Sequence, residues 1–159
     1  MECRAGIGYD VHKLVSGRDL ILGGVKIDYH LGLLGHSDAD VLLHAICDAI
    51  LGAAGLGDIG QHFPDSDQRY KGISSLLLLG EVAGKISDLG LSVNNLDAVI
   101  VAQAPKLAPY IADMKKNVAA TLGCDKGRIN IKATTTEGLG FAGKGKGIAA
   151  YAVCTLIKK

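Results

Sequence analysis

Three stretches of helical apolar spacing, set between stretches that read as strands, limit the fold of this 159-residue chain more than any other feature. Val41, Leu42, Ala45, Ile46, Ala49 and Ile50 recur every three to four residues and predict a helix from about Asp38 to Ala53. Ser37 stands as its N-cap, with Asp40 three residues on as in a capping box. A second helix spans Ser74–Leu89, with Leu76, Leu79, Ala83 and Ile86 on one face and Gly90 placed for a left-handed cap. A third runs Leu107–Leu122, entered through Pro105 and Pro109 and closed by Gly123. Strands are predicted at Arg4–Leu14, Leu20–Tyr29, Leu96–Gln103, Ile129–Thr136 and Ile148–Ile157. The order β-β-α-α-β-α-β-β implies an α+β single domain over residues 1–159, with one mixed sheet and helices packed on one face.

Composition narrows what that domain can do. Glycine is 22 of the residues, about twice the usual ~7% share, while aromatics are 4%, so backbone shape matters more than ring bulk. A net charge of +1 provides no global field for nucleic acid or an anionic membrane, and any anion must be held by local groups. No apolar run approaches the roughly 18–20 residues needed to cross a bilayer, the nearest being Leu76–Leu79. Cys3, Cys47, Cys124 and Cys154 contain no CxxC pair, and no apolar signal segment opens the chain, so reduced thiols and a cytoplasmic address are expected.

The chemistry is concentrated early, since all five histidines lie between His12 and His62. Asp10 and His12 fall on the same face of a strand because strand side chains alternate with period two. A carboxylate and an imidazole suit Zn²⁺, and His44 is the natural third ligand of a site with one open position. Asp40, His44 and Asp48 form an i, i+4, i+8 stripe opposite the apolar face of the first helix. The plainer alternative is an exposed strand end and a surface histidine paired with Asp40 or Asp48. His36 and Ser37 could offer donors to a phosphate, or Ser37 could simply cap the helix. Asp58-Ile59-Gly60 and Phe63-Pro64-Asp65-Ser66-Asp67 form a carboxylate-rich loop suited either to sugar hydroxyls or to turn formation.

Ala133-Thr134-Thr135-Thr136-Glu137 ends a strand in hydroxyls and an acid, then enters a glycine-rich run containing Phe141 and Lys144. Gly138, Gly140 and Gly143 fit G-x-G-x-x-G, but a β-like segment is expected next instead of a helix, so a dinucleotide fold is excluded. Gly145 stands where a Walker motif needs Ser or Thr. What remains is a loop that could carry a hard divalent ion on Glu137 and neutralise phosphate with Lys144, or a run of turn glycines at a subunit contact.

These motifs, in order, together with Gly35–Val41, Leu56–Gly60 and Ala102-Gln103-Ala104-Pro105-Lys106, resemble the 2-C-methyl-D-erythritol 2,4-cyclodiphosphate synthase family over nearly the full chain. The resemblance implies a homotrimer with sheets around a threefold axis and active sites between subunits. It implies 4-diphosphocytidyl-2-C-methyl-D-erythritol 2-phosphate as the small-molecule substrate, converted to the cyclodiphosphate with release of CMP. Asp10, His12 and His44 would hold Zn²⁺, and Glu137 would carry Mg²⁺ or Mn²⁺. His36 and Thr135 would stabilise the transition state. Asp58 to Gly60 and Phe63 to Asp67 would line the erythritol pocket, and Ala102 to Ala108, with Leu107 among them, would seat the cytidine with Thr134. Relatives often carry Arg where this chain has Lys144, and His and Glu near the threefold axis where it has Ile7 and Tyr151. The ligand set by itself also suits a zinc-dependent phosphodiesterase or pyrophosphatase, and the cytidine loop a non-catalytic nucleotide-binding module.

Overall fold

The computed structural model describes residues 2–159 and is an α+β fold built on one mixed five-stranded sheet. The strands are β1 (Cys3–Val15), β2 (Leu20–Leu22), β3 (Val25–Ile27), β4 (Gly32–Leu33), β5 (Leu91–Val101), β6 (Ile129–Thr134) and β7 (Gly147–Lys158). The helices are α1 (Val41–Ala54), α2 (Ile59–His62), α3 (Ser75–Asp88), α4 (Ile111–Leu122) and α5 (Gly140–Gly143). The sheet order is β4-β1-β7-β5-β6, with β5 and β6 parallel and the other pairs antiparallel. No helix among the described residues is long and apolar enough to cross a membrane.

Several boundaries differ from the sequence reading, each for a local reason. The α1 N-cap is Asp40, whose Oδ1 accepts from Leu43 N at 3.1 Å. Ser37 does not fill that role, because Ala39 has φ +57° and turns the chain off a helical path between the two residues. Ser37 Oγ instead accepts from Ala39 N. The expected strand at Leu20–Tyr29 is a hairpin folded at Gly23-Gly24, whose φ values of +58° and +71° suit a tight two-residue turn. That turn rests on α1: Gly23 N and Gly24 N donate to the Asp40 carboxylate at 3.0 and 2.8 Å. Burial pushes the Asp40 carboxyl up to about 6, against the pull of its three backbone donors. Strand β5 starts at Leu91 with a bulge near Val93, β6 ends at Thr134, and one helical turn, α5, stands where only β-like glycine sequence was expected.

Helix α1 is enclosed on nearly every side, so the expected polar stripe opposite an apolar face is corrected. Asp40 is fully buried, and the positions not buried are His44, Asp48 and Gly52. Burial alternates along the strands: Gly8, Leu14, Leu96, Ala98, Ile100, Ile129 and Ile131 face the helices. The opposite face leaves Ile7, Tyr9, Val11, Tyr151 and Val153 42–71% exposed. Tyr9 and Tyr151 pack together there, with ring centres 4.8 Å apart and planes tilted by 50°.

Candidate active site

Two glycines bring α1 down onto β1. A methyl group at Gly8 would overlap the Ala45 carbonyl, and one at Gly6 would overlap the Ala49 carbonyl. On the same face of β1, the next two inward positions are Asp10 and His12. The close approach therefore carries His44, the neighbour of Ala45, against both of them.

The three ligating atoms form a compact triangle. His12 Nε2 lies 2.9 Å from Asp10 Oδ2, His44 Nδ1 lies 3.1 Å from the same oxygen, and the two nitrogens are 3.2 Å apart. Ligands on a tetrahedral ion with bonds of about 2.0–2.1 Å stand roughly 3.3 Å apart, so this triangle matches one face of such a site. The outer nitrogens fix the tautomers. His12 Nδ1 donates to the Leu34 carbonyl at 2.8 Å, and His44 Nε2 meets the hydroxyls of Ser37 and Ser75 at 3.1 and 3.0 Å. In their neutral forms both histidines thus aim lone pairs at one point beside a carboxylate, an arrangement that suits a divalent cation. Burial alone would raise the Asp10 carboxyl, but hydrogen bonds and charge from His12 and His44 outweigh it and hold it at about 2. Burial opposes the charged form of His12, yet Asp10 beside it raises its pKa above the ordinary value.

Above the triangle lies a cavity of about 540 Å³ lined by Asp10, His12, His36, Ser37, His44, Ile59, Gly60, Phe63, Pro64 and Asp65, together with Tyr70 and Leu78. His36 Nε2 donates to the Asp67 carbonyl at 2.9 Å, which leaves Nδ1 of the neutral ring as an acceptor. Asp58, Ser66 and Asp67 do not line this cavity. Two of them are occupied by turn chemistry: Asp58 caps α2 through Gln61 N, and Asp67 caps the short 3₁₀ turn Gln68–Tyr70 and pairs with Arg69.

A second cavity, about 330 Å³, is lined by Ala102, Gln103, Ala104, Pro105, Lys106, Leu107, Ala108, Thr134 and Thr135. Thr136 and Phe141 line a third of about 180 Å³ with Tyr9 and Tyr151, while Glu137 and Lys144 line none of these three. One chain does not bring the two larger groups together. Asp10, Ala150, Ile100 and Ala133 form one row across the sheet, which puts β1 and β6 three strand spacings, or about 14 Å, apart. Thr134 belongs to the adjacent row with Val11, Ala149 and Val101, so it points to the face opposite α1, away from Asp10.

Residues outside the sequence reading also shape the centre. Ser75 is 0% exposed and touches His44, and Asp38 holds Ser75. A Ser-Ser pair at a helix start signals a cap, and only the long-range packing of α3 on α1 shows the second serine facing His44.

Fold and site together define an α+β protein with an open, three-ligand Asp-His-His candidate centre for a divalent metal. The chain belongs to the YgbB family, whose model matches residues 3–157. A relative named 2-C-methyl-D-erythritol 2,4-cyclodiphosphate synthase from Desulforamulus reducens is 71% identical over 96% of this chain and 98% of its own length. The solved bifunctional IspDF of Campylobacter jejuni is 46% identical with a TM-score of 0.96, covering 99% of this chain but only 43% of that longer one. IspF of Plasmodium falciparum, solved as a CDP complex, is 36% identical with a TM-score of 0.87 over 99% of this chain and 97% of its own.

Proposed function

We infer that this chain is an enzyme of isoprenoid biosynthesis that forms 2-C-methyl-D-erythritol 2,4-cyclodiphosphate, the product for which its relatives are named. The observation that carries this reading is the Asp10, His12 and His44 triangle at the floor of a cavity large enough for a phosphorylated tetrol. In this reading the substrate is 4-diphosphocytidyl-2-C-methyl-D-erythritol 2-phosphate. An oxygen of its 2-phosphate attacks the β-phosphorus, the bond from that phosphorus to the CMP oxygen breaks, and CMP leaves. The nucleophile belongs to the substrate, so the chain needs no reactive serine or cysteine, and its task is to fold a polyanion into line.

Zn²⁺ at Asp10, His12 and His44, with Mg²⁺ or Mn²⁺ at Glu137, would supply positive charge to the diphosphate oxygens. His36 and Thr135 are assigned to the developing charge of the transition state, and Ser37 Oγ to a phosphate oxygen. Ile59, Gly60, Phe63, Pro64 and Asp65 form the wall against which the erythritol would lie, with Asp58 and Asp67 holding that wall in shape. Residues Ala102 to Ala108 with Thr134 are assigned to cytidine; the CDP carried by the Plasmodium falciparum relative supports a cytidine nucleotide as ligand.

The separation of the two larger cavities within one chain supports a homotrimer, in which the metal cavity of one subunit faces the nucleotide loop of the next. The bare apolar strip of Ile7, Tyr9, Val11, Tyr151 and Val153 supports sheets gathered about a threefold axis. Such a closed seam would also exclude water, whose attack would give a linear diphosphate instead of a ring. Four free thiols support a reducing, cytoplasmic setting.

Phosphorus NMR of the products, with the nucleotide separated by chromatography, tests the reading. A cyclic diphosphate and CMP are expected in equal amounts. CMP with a linear diphosphate or free phosphate would make the enzyme a hydrolase, and tight CMP binding without turnover would make it a binding module.

A further inference from the structure

His44 Nε2 is held by two hydroxyls of unequal character. Ser75 Oγ lies 3.0 Å from it and 2.5 Å from Asp38 Oδ1. Asp38 also accepts from Ser75 N at 3.1 Å through Oδ2 and from Asp40 N at 3.2 Å through Oδ1, so donors surround its carboxylate. The Ser75 proton is therefore committed to Asp38, and toward His44 the Ser75 oxygen acts only as an acceptor. With a cation between the ligands, that places the His44 proton on Nε2 and the lone pair on Nδ1, the atom beside Asp10. Ser37 is held differently: its Oγ accepts from Ala39 N at 3.2 Å, and no carboxylate fixes its proton. Nor is Ser75 needed as a helix cap, since Ser74 Oγ already accepts from Leu76 N to start α3. Ser75 is fully buried and does not line the cavity, so it meets the reaction only through His44.

We propose that Ser75 and Asp38 are positioning residues for the metal centre, a carboxylate–hydroxyl–imidazole relay that commits His44 to the Nε2–H tautomer and aims Nδ1 at the cation. The relay rests on the reading of Asp10, His12 and His44 as a divalent-cation site. It gives the two histidines different backing: His12 leans on the neutral Leu34 carbonyl, while His44 leans on a carboxylate through one hydroxyl.

The test is Co²⁺ titration of the metal-free full chain, reading the dissociation constant and the visible d–d band together, with circular dichroism melts to establish folding. Ser75→Ala is expected to weaken Co²⁺ binding by about 10–100-fold and to shift the band. Ser75→Thr, which keeps the hydroxyl, is expected to stay within about threefold of wild type, a rescue that a packing role alone would not produce. A folded Ser75→Ala protein with the wild-type constant and band would overturn the relay. Where the lost hydroxyl or the added methyl prevents folding, Asp38→Ala, which removes the acceptor of the Ser75 proton, gives the same reading, and an unchanged constant there overturns it as well. Wild type that takes up no Co²⁺ would instead reject the metal centre itself.

Discussion

The ligand triangle between β1 and α1 is fastened by contacts from distant parts of the chain, whereas the loop edge formed by residues 102–108 and 135–144 is tied mainly by contacts within itself. Around the triangle, Leu34, Ser37, Ser75 and Asp38 fix the outer nitrogens of two histidines, and Gly6 and Gly8 set how close α1 may come. At the loop edge, Gly138 N donates to Gln103 Oε1 at 3.1 Å, Thr135 Oγ1 accepts from Glu137 N at 3.2 Å, and Glu137 keeps a φ of +55°. The first region is organised before any ligand arrives. The second has mostly exposed side chains, as the proposed completion by a neighbouring subunit would require. In the proposed function, rigid metal ligands and a looser nucleotide edge would divide the work of recognising one substrate.

That contrast can be broken most directly at His44. His44→Ala is expected to abolish metal retention and to lower kcat/KM by at least about 10²–10³-fold, as measured by metal analysis and product formation. A variant with full metal content and a normal rate would remove the triangle from the mechanism. Next in size is Asp40→Ala, which strands three backbone donors around a fully buried site; a loss of about 2–4 kcal/mol in denaturant unfolding is expected. Gly8→Ala should cost about 1–3 kcal/mol by forcing α1 away from β1. It should also weaken metal binding more than Gly6→Ala, because Gly8 lies against Ala45, next to His44, whereas Gly6 lies a turn farther on, against Ala49.

Proton competition sharpens the same point. Asp10 is lowered to about 2, so its pairing with the histidines stabilises the metal-free protein above its ordinary value of 3.8 and is lost as the pH falls toward 2. His12 is raised, so its contribution is complete below 6.5 and is lost as the pH climbs past its folded-state value. The Asp10–His12 pair should therefore stabilise the metal-free protein most between about pH 4 and 6.5, read as the melting-temperature difference between wild type and Asp10→Asn across that range. Metal affinity should change the opposite way, weakening as acid protonates His12, which equilibrium dialysis at a series of pH values would check. The smallest stability effect is expected at the loop edge: Thr134→Ala should stay within about 0.5 kcal/mol of wild type in unfolding, yet raise KM for the nucleotide substrate. Equal stability losses at Thr134 and Asp40 would erase the distinction between the two regions.

The parts of this design that local spacing encodes were legible in the sequence. Three helices appear from apolar periodicity, and Asp10 with His12 from strand alternation, because both signals need only a few consecutive residues. The stripe through His44 led to a residue that does meet Asp10, although Asp40 in the same stripe is a buried cap rather than a surface group. What stayed hidden depends on partners far along the chain. Gly6 and Gly8 look like ordinary strand glycines until Ala45 and Ala49 lie across them, and Ser75 reads as a helix start until His44 faces it. The Leu20–Tyr29 strand concealed a Gly-Gly turn whose glycines also dock on Asp40. In the 58–67 loop, residue type alone did not separate the capping Asp58 and Asp67 from Asp65 in the cavity wall.

Strand β1 interleaves its two sets of duties residue by residue: Tyr9 and Val11 look outward, and Asp10 and His12 look inward. A single-residue insertion ahead of Tyr9 that shifted the pairing with β7 would exchange them, turning the carboxylate and imidazole onto the apolar outer face and driving a tyrosine and a valine beneath the helix. Evolution can therefore tune either side of this ribbon by substitution, but lengthening it by an odd number of residues would sacrifice both at once.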